Sequence, residues 1–220
     1  MTDADLAAVL FAATRAPSGS NRQPFRFVVL REGGRADRAK AMLGACYRAA
    51  WAKKVVAERY REGSGAEADS PKSRVAGAMQ HFVDHFEQIP VVVLVCAIPS
   101  LTEETLGPLQ LEMVERAGRD LVQGGSVFPA CQNLLLAARA VGLGGVMTGW
   151  HFEIEDDLRA VLGIPSDVRV VCTIPLGHPQ GSHGPVRRRP MSELVYDGGW
   201  AEGAAWAVDP PGTRFTSARR

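Results

Sequence analysis

No run in this 220-residue chain approaches the ~20 consecutive apolar residues needed to cross a bilayer. The N-terminus places Asp3 and Asp5 ahead of its first apolar residues, where a secretory signal would be basic. No membrane association is expected, and the cytoplasm is the expected compartment. Charge of one sign is also missing. The 25 Lys and Arg offset 24 Asp and Glu, and a formal charge of +1 supplies no field for a nucleic-acid backbone. Cysteine is scarce. Cys46, Cys96, Cys131 and Cys172 lie far apart, each in an apolar run and none in a CxxC, which reads as buried thiols in a reducing compartment. His81 and His85 share a helix face, but no third ligand is placed beside them, so no metal is expected. The Gly142–Gly149 stretch GLGGVMTG has neither a GxGxxG fingerprint after a strand nor the Lys-Ser/Thr of a phosphate loop. Ser18, Ser20 and Ser126 lack the GxSxG context of a hydrolase nucleophile.

What the chain does contain is the material for a core. It is 46% hydrophobic and 22% charged, the balance of an ordinary globular protein. A domain of this length buries roughly 70–75% of its unfolded surface. Thr2 and Asp5 make a capping box ahead of Leu6, Val9, Leu10 and Ala13 at helical spacing, so a helix is predicted up to the region of Pro17. Strands are predicted at Phe25–Arg31, Pro90–Ile98 and Val168–Leu176, the second as a buried central strand. Helical stripes run from Ala39 towards Arg61, from Val75 to Phe86, from Phe128 to Val141 and around Leu158–Leu162. The Phe128–Val141 segment is apolar on nearly all sides, as suits a helix in a core or a dimer interface. Glu62–Lys72 and Pro99–Gln110 read as surface connections. No repeat or linker interrupts the chain, which predicts one α+β domain over residues 1–220. Beyond Pro185 periodicity stops, yet Met191, Leu194, Val195, Tyr196, Trp200 and Trp206 need a surface to cover, on their own domain or on a partner's.

The loop APSGSNRQPFRF, Ala16–Phe27, sets Ser, Gly, Asn and Gln between two prolines that restrict φ, with Gly19 allowing a flat ligand near the backbone. Asn21 carries a donor and an acceptor on one side chain, matching the alternating edge of a pyrimidine-like ring; an Asx turn at a helix stop is the competing reading.

This loop resembles the PSxxNxQPWxF signature of the nitroreductase family, with Phe25 at the usual Trp position. Gly125–Gly149 is similar to the family's buried central helix and glycine-rich turn, and Leu176–Trp200 to its closing stretch of LGxP, basic cluster, Pro and Trp. The resemblance implies an FMN-dependent, NAD(P)H-using homodimer with a central mixed or antiparallel sheet flanked by helices. Residues 185–220 would form an extension that wraps the partner subunit. It also implies roles for individual residues. Asn21 would meet the pyrimidine edge of FMN, with Pro17, Ser18 and Gln23 in the same loop. Met147, Thr148 and Gly149 would offer backbone groups near the flavin N5, and Arg187 and Arg189 would hold the phosphate. No side chain need be catalytic, because N5 carries the chemistry of ping-pong transfer from NAD(P)H to a nitroaromatic, quinone or related small acceptor. Two alternatives stay open: the same fold with another flavin or deazaflavin reaction such as reductive dehalogenation, or a degenerate flavin-binding dimer without turnover. The family's Arg-rich RRSxR segment does not occur in the 16 residues before Pro17, which leads to the expectation that FMN is held less tightly.

Overall fold

Thr2 closes the predicted capping box: its hydroxyl accepts from the Asp5 amide at 3.1 Å while the Asp5 carboxylate accepts from the Thr2 amide at 2.9 Å, and α1 runs over Asp3–Thr14. The structure is a computed structural model that describes residues 1–60, 71–181 and 186–215, with side chains throughout except at residues 71 and 72. The Glu62–Lys72 connection therefore lies almost wholly outside the described residues. From α1 the chain passes to β1 (Phe25–Leu30), α2 (Gly34–Ala57), α3 (Pro71–Asp84) and β2 (Val91–Ala97). It continues through α4 (Glu103–Leu106), α5 (Pro108–Ala117), α6 (Arg119–Ala140), β3 (Gly144–Gly145), α7 (Glu155–Leu162) and β4 (Arg169–Gly177). Two compact units result, Met1–His178 and Pro179–Arg220.

In the first unit the strands form one antiparallel sheet in the order β1-β2-β4-β3. Every residue of β2 is buried, as expected of a strand covered on both faces. The strand's period of two divides it cleanly. Val91, Val93, Val95 and Ala97 pack with Leu6 and Val9 of α1 and Val127, Cys131 and Leu134 of α6. Val92, Leu94 and Cys96 pack on the other side with Leu43, Tyr47 and Trp51 of α2, Phe86, and Leu158 of α7. The sheet is thus the middle of three layers.

A bulge in β4 has a consequence for side-chain direction. Val95 pairs with Cys172 but Cys96 pairs with Val170, so Val171 is an extra residue and the alternation of β4 reverses there. Val168 and Val170 join the α2 layer, whereas Cys172, Ile174 and Leu176 join the α1/α6 layer. Thr173, one step from Cys172, accordingly faces α2.

The predicted helix at Phe128–Val141 begins nine residues earlier than its apolar stripe, at Arg119. Pro129 sits inside it, and the carbonyl of Gly125 that loses its partner lies on the exposed side, where water can satisfy it. One face of α6 is buried through Ser126, Val127, Ala130, Cys131, Leu134 and Ala138. The opposite face is an exposed stripe at helical spacing that includes Leu121, Phe128 and Leu136. The 99–110 stretch, expected as a surface connection, instead holds α4 and the start of α5. All four cysteines are free and buried. Cys131 and Cys172 bring their sulfurs to 3.5 Å between α6 and β4, and the hydrogen bond shared with Cys131, with burial, pushes the Cys172 thiol up.

Candidate functional site

Between α1 and β1 the polar loop is held from three sides. The Gly19 amide donates to Ser126 Oγ on α6 at 3.1 Å, and the Ile98 amide beyond β2 donates to the Pro24 carbonyl at 2.9 Å. Arg22 donates to the Gly19 carbonyl at 3.2 Å and to Gln110 Oε1 on α5 at 3.1 Å. Ser18 is used within the loop, its hydroxyl accepting from the Gln23 amide at 2.9 Å. Ser20, Asn21 and Gln23 all have φ between 50° and 53°. Asn tolerates this left-handed region, but Ser and Gln each cost on the order of 1–3 kcal/mol there. Such strain persists because the three anchors over-determine the loop.

The consequence for Asn21 differs from the donor-plus-acceptor expectation. Gln23 Nε2 donates to Asn21 Oδ1 at 2.9 Å, so the acceptor half of the amide is engaged by Gln23. The Nδ2 donor has no partner among the described residues, and the Asn21 side chain is exposed. Gln23, expected beside Asn21, sets the orientation of that amide.

The second group lies at the open edge of the sheet. β3 is only two residues long, pairing Gly144 with Gly177 and Gly145 with Leu176. A Cβ on Gly145 would stand 2.7 Å from Leu176 Cδ2 and 3.0 Å from the Pro175 carbonyl, so only glycine allows this approach. After Val146 and Met147, both exposed, the chain returns to β4 through one isolated bridge. The Thr148 amide donates to the Thr173 carbonyl at 3.0 Å, and the Thr173 amide donates to the Thr148 carbonyl at 2.9 Å. Thr148 therefore has no amide to offer a ligand. In an antiparallel bridge the neighbouring backbone groups face the other way, so the Gly149 amide and the Met147 carbonyl point off the sheet edge. Of the three residues expected here, Gly149 supplies the outward donor and Thr148 holds it.

His151 follows two residues later and is fully buried. Its Nε2 lies 2.7 Å from the Val170 carbonyl, which can only accept, so Nε2 carries the proton and Nδ1 is a lone-pair acceptor without a partner among the described residues. Burial drives its pKa below the ordinary 6.5, against smaller raising effects from the Val170 carbonyl and Glu155 and with a small lowering effect of Arg169. The ring is neutral in the fold, whereas an unfolded chain takes up a proton as pH falls through 6.5. The fold should therefore lose stability below that pH, by at most about 1.4 kcal/mol per pH unit until the lowered folded pKa is reached. Urea midpoints at pH 7.5 and pH 5 should separate, and His151→Gln should narrow the gap; an unchanged gap would assign the effect elsewhere.

In the second unit, Arg188 forms a parallel bridge with Phe215. Alternation about that residue puts Arg187 and Arg189 on one face. Neither has an ion pair among the described residues, while Arg188 donates to the Arg187 carbonyl at 2.8 Å. The same unit orders Met191, whose amide donates to Asp209 at 2.9 Å, and Trp206, whose indole donates to Asp197 at 2.8 Å. Trp200 remains 90% exposed and Trp206 65%.

Pro17, Ser18, Asn21 and Gln23 thus share one loop, and Met147, Thr148 and Gly149 one edge segment. No hydrogen bond joins the two groups among the described residues. On α6 the loop is met at Ser126, while Gly145 of β3, four residues before Gly149, lies beside Leu135, 3.1 Å from where a Gly145 Cβ would stand. Nine residues of helix separate these positions by about 14 Å. A depression of about 440 Å³ lies elsewhere, lined by Arg48, Trp51, Val55, Arg59 and Gln80, and contains none of the candidate residues. Sequence reasoning missed Ser126 as the loop's anchor and Tyr47 and Thr173 beneath the edge, since a serine or tyrosine in an apolar helical stripe carries no mark of its partner.

Among curated proteins, one from Archaeoglobus fulgidus, named as an NADH dehydrogenase/NAD(P)H nitroreductase, is 29% identical over 182 residues, covering 82% of this chain and 75% of its own. Among solved structures, a BluB-like flavoprotein from Clostridium difficile superposes with a TM-score of 0.59 at 19% identity, covering 90% of both chains. The NADPH:FMN oxidoreductase of Vibrio harveyi, complexed with NAD+, gives 0.59 at 18% identity, covering 92% of this chain and 70% of its own. These structural likenesses establish the fold. The Nitroreductase family model matches residues 1–178, which include the strained loop, α6 and the Gly149 edge, and the chain belongs to that family.

Proposed function

We propose that the protein is a cytoplasmic flavin-dependent NAD(P)H oxidoreductase. It would hold FMN between two copies of the chain and pass electrons in ping-pong order from NAD(P)H to a flat acceptor such as a nitroaromatic or quinone. The observation that carries this reading is the pair of unspent donors, Asn21 Nδ2 and the Gly149 amide, each held in place by neighbouring hydrogen bonds. The family is one of oxidoreductases, and the names of the Archaeoglobus and Vibrio proteins point to NAD(P)H as donor and FMN as cofactor.

The residues present fit that cofactor. A flavin ring needs donors towards its pyrimidine carbonyls and at the atom where charge accumulates, and its phosphate needs cations. When bound, FMN supplies N5, the atom through which electrons enter and leave. Asn21 would donate to the pyrimidine edge, and the Gly149 amide would stabilise charge developing beside it without any titratable side chain. Pro17 and Ser18 would keep the loop flat against the ring. Arg187 and Arg189 would hold the phosphate as fixed cations with paired donors.

The absence of any hydrogen bond between the loop and the Gly149 edge among the described residues is consistent with a site completed by a second subunit. Leu121, Phe128 and Leu136 give α6 an exposed apolar stripe, of the kind that marks an interface. In this reading residues 1–220 work as one domain, and the exposed Leu194, Trp200 and Trp206 of the 185–220 extension cover the partner.

The test is the visible absorption spectrum of the purified protein, with FMN added if it is colourless. Flavin bands that bleach with NAD(P)H and return with a nitroaromatic or quinone are expected. Failure to bind at high FMN concentration would overturn the proposal in favour of a dimer without turnover.

A further inference from the structure

Beneath the Gly149 edge, on the α2 side of the sheet, three hydroxyl-bearing residues from distant parts of the chain come together. Tyr47 Oη shares a hydrogen bond with Thr173 Oγ1, and Thr173 Oγ1 lies 3.5 Å from the Thr148 carbonyl. That carbonyl can only accept, so Thr173 commits its proton to Thr148 and Tyr47 must donate to Thr173. The order that satisfies all three groups is Tyr47 O–H to Thr173 O–H to Thr148 C=O. Tyr47 and Thr173 are fully buried. The Tyr47 ring is boxed by Phe86 at 4.7 Å and Trp150 at 5.7 Å, both edge-on. Burial pushes the Tyr47 phenol up to about 12, which keeps it a donor across the range in which proteins work.

The position of this chain of donors gives it a meaning beyond a satisfied core tyrosine. Thr148 is the residue that fixes the Gly149 amide; its backbone is tied to the sheet through Thr173, and its side chain also faces the Tyr47 phenol. The Gly144–Gly145 strand before it is two residues long, and Val146 and Met147 are exposed, so the edge has little else to keep it in register. The bulge at Val171 is what turns Thr173 towards α2; without it Thr173 would face α6 and Tyr47 could not reach it.

We propose that Tyr47, acting through Thr173, is a positioning residue that holds the Thr148–Gly149 backbone so that the Gly149 amide keeps a fixed direction towards the electron-transferring atom of the cofactor. This rests on the oxidoreductase reading for its functional half. The structural half stands on the hydrogen bonds alone. Removing the phenol oxygen leaves the ring packing intact but frees Thr173 from its donor, so the edge breathes more often and the Gly149 amide spends less time aligned.

Two readouts on the full-length protein test it. Amide hydrogen exchange, with no cofactor added, should show Thr148 and Thr173 exchanging about tenfold faster in Tyr47→Phe. With FMN bound and NADH and a quinone supplied, Tyr47→Phe should lower kcat severalfold while leaving the acceptor KM and the FMN affinity unchanged, because the lost alignment matters only as charge develops. Thr173→Val should reproduce both effects, Thr173→Ser should restore wild-type behaviour, and the double variant Tyr47→Phe/Thr173→Val should be no worse than the poorer single one. Wild-type exchange rates in Tyr47→Phe would overturn the clamp. Faster exchange with unchanged kcat would overturn its role in positioning, as would fully additive losses in the double variant. A wild-type protein that binds no FMN would overturn the oxidoreductase reading instead, while the exchange arm still decides the clamp.

Discussion

Replacing Arg187 and Arg189 together with alanine is expected to abolish FMN retention while leaving the far-ultraviolet circular dichroism unchanged. Each charge-assisted hydrogen bond to a phosphate contributes about 1.5–3 kcal/mol, so losing two weakens binding about 10²–10⁴-fold. The fold should not notice. Both side chains are exposed and neither has an ion pair among the described residues, so their truncation leaves no buried group unsatisfied. Arg188 serves as the internal control, because alternation about its bridge with Phe215 directs it to the opposite face. Arg188→Ala should bind FMN nearly as well as the wild type. Equilibrium dialysis against FMN distinguishes these cases, and retention by the double variant would overturn the phosphate assignment.

A feature of this fold is legible in the sequence when the contact that decides it is local. The Thr2–Asp5 capping box is a spacing of three residues and reads as such, and the unbroken apolar run of β2 announces a strand buried on both faces. The loop of Pro17 to Gln23 is recognisable because its residue types, rather than its partners, carry the signal. The short helices α4 and α5 are not. Gly107 and Gly118 bracket α5 with φ of 71° and 90°, and only Val114 along it is buried, so no apolar stripe stands out. The two-residue strand β3 has no periodicity at all. Two details of the site are invisible for a different reason. Which half of the Asn21 amide is engaged, and that Thr148 spends its own amide on Thr173, follow from tertiary pairing. A sequence places a candidate donor; only the fold says whether it is already in use.

The exposed face of α6 makes the other large prediction. Phe128→Asp combined with Leu136→Asp should convert the protein to a 23.6 kDa monomer in sedimentation and remove its FMN at the same time. Both side chains are half exposed in the single chain, Phe128 at 47% and Leu136 at 59%. Replacing them therefore costs the fold of one subunit little. If the stripe is the shared face of a two-fold dimer, each change counts twice. Four partly buried side chains at about 1–2 kcal/mol each give about 4–8 kcal/mol, enough to weaken association 10³-fold or more before carboxylate repulsion is added. The link to FMN is what makes the result decisive. In the shared-site reading the Asn21 donor comes from one subunit and the Gly149 donor from the other, so a lone subunit would offer the ring only one of the two. A monomer that still binds FMN would overturn the shared site, and a dimer that survives both changes would place the interface on another face.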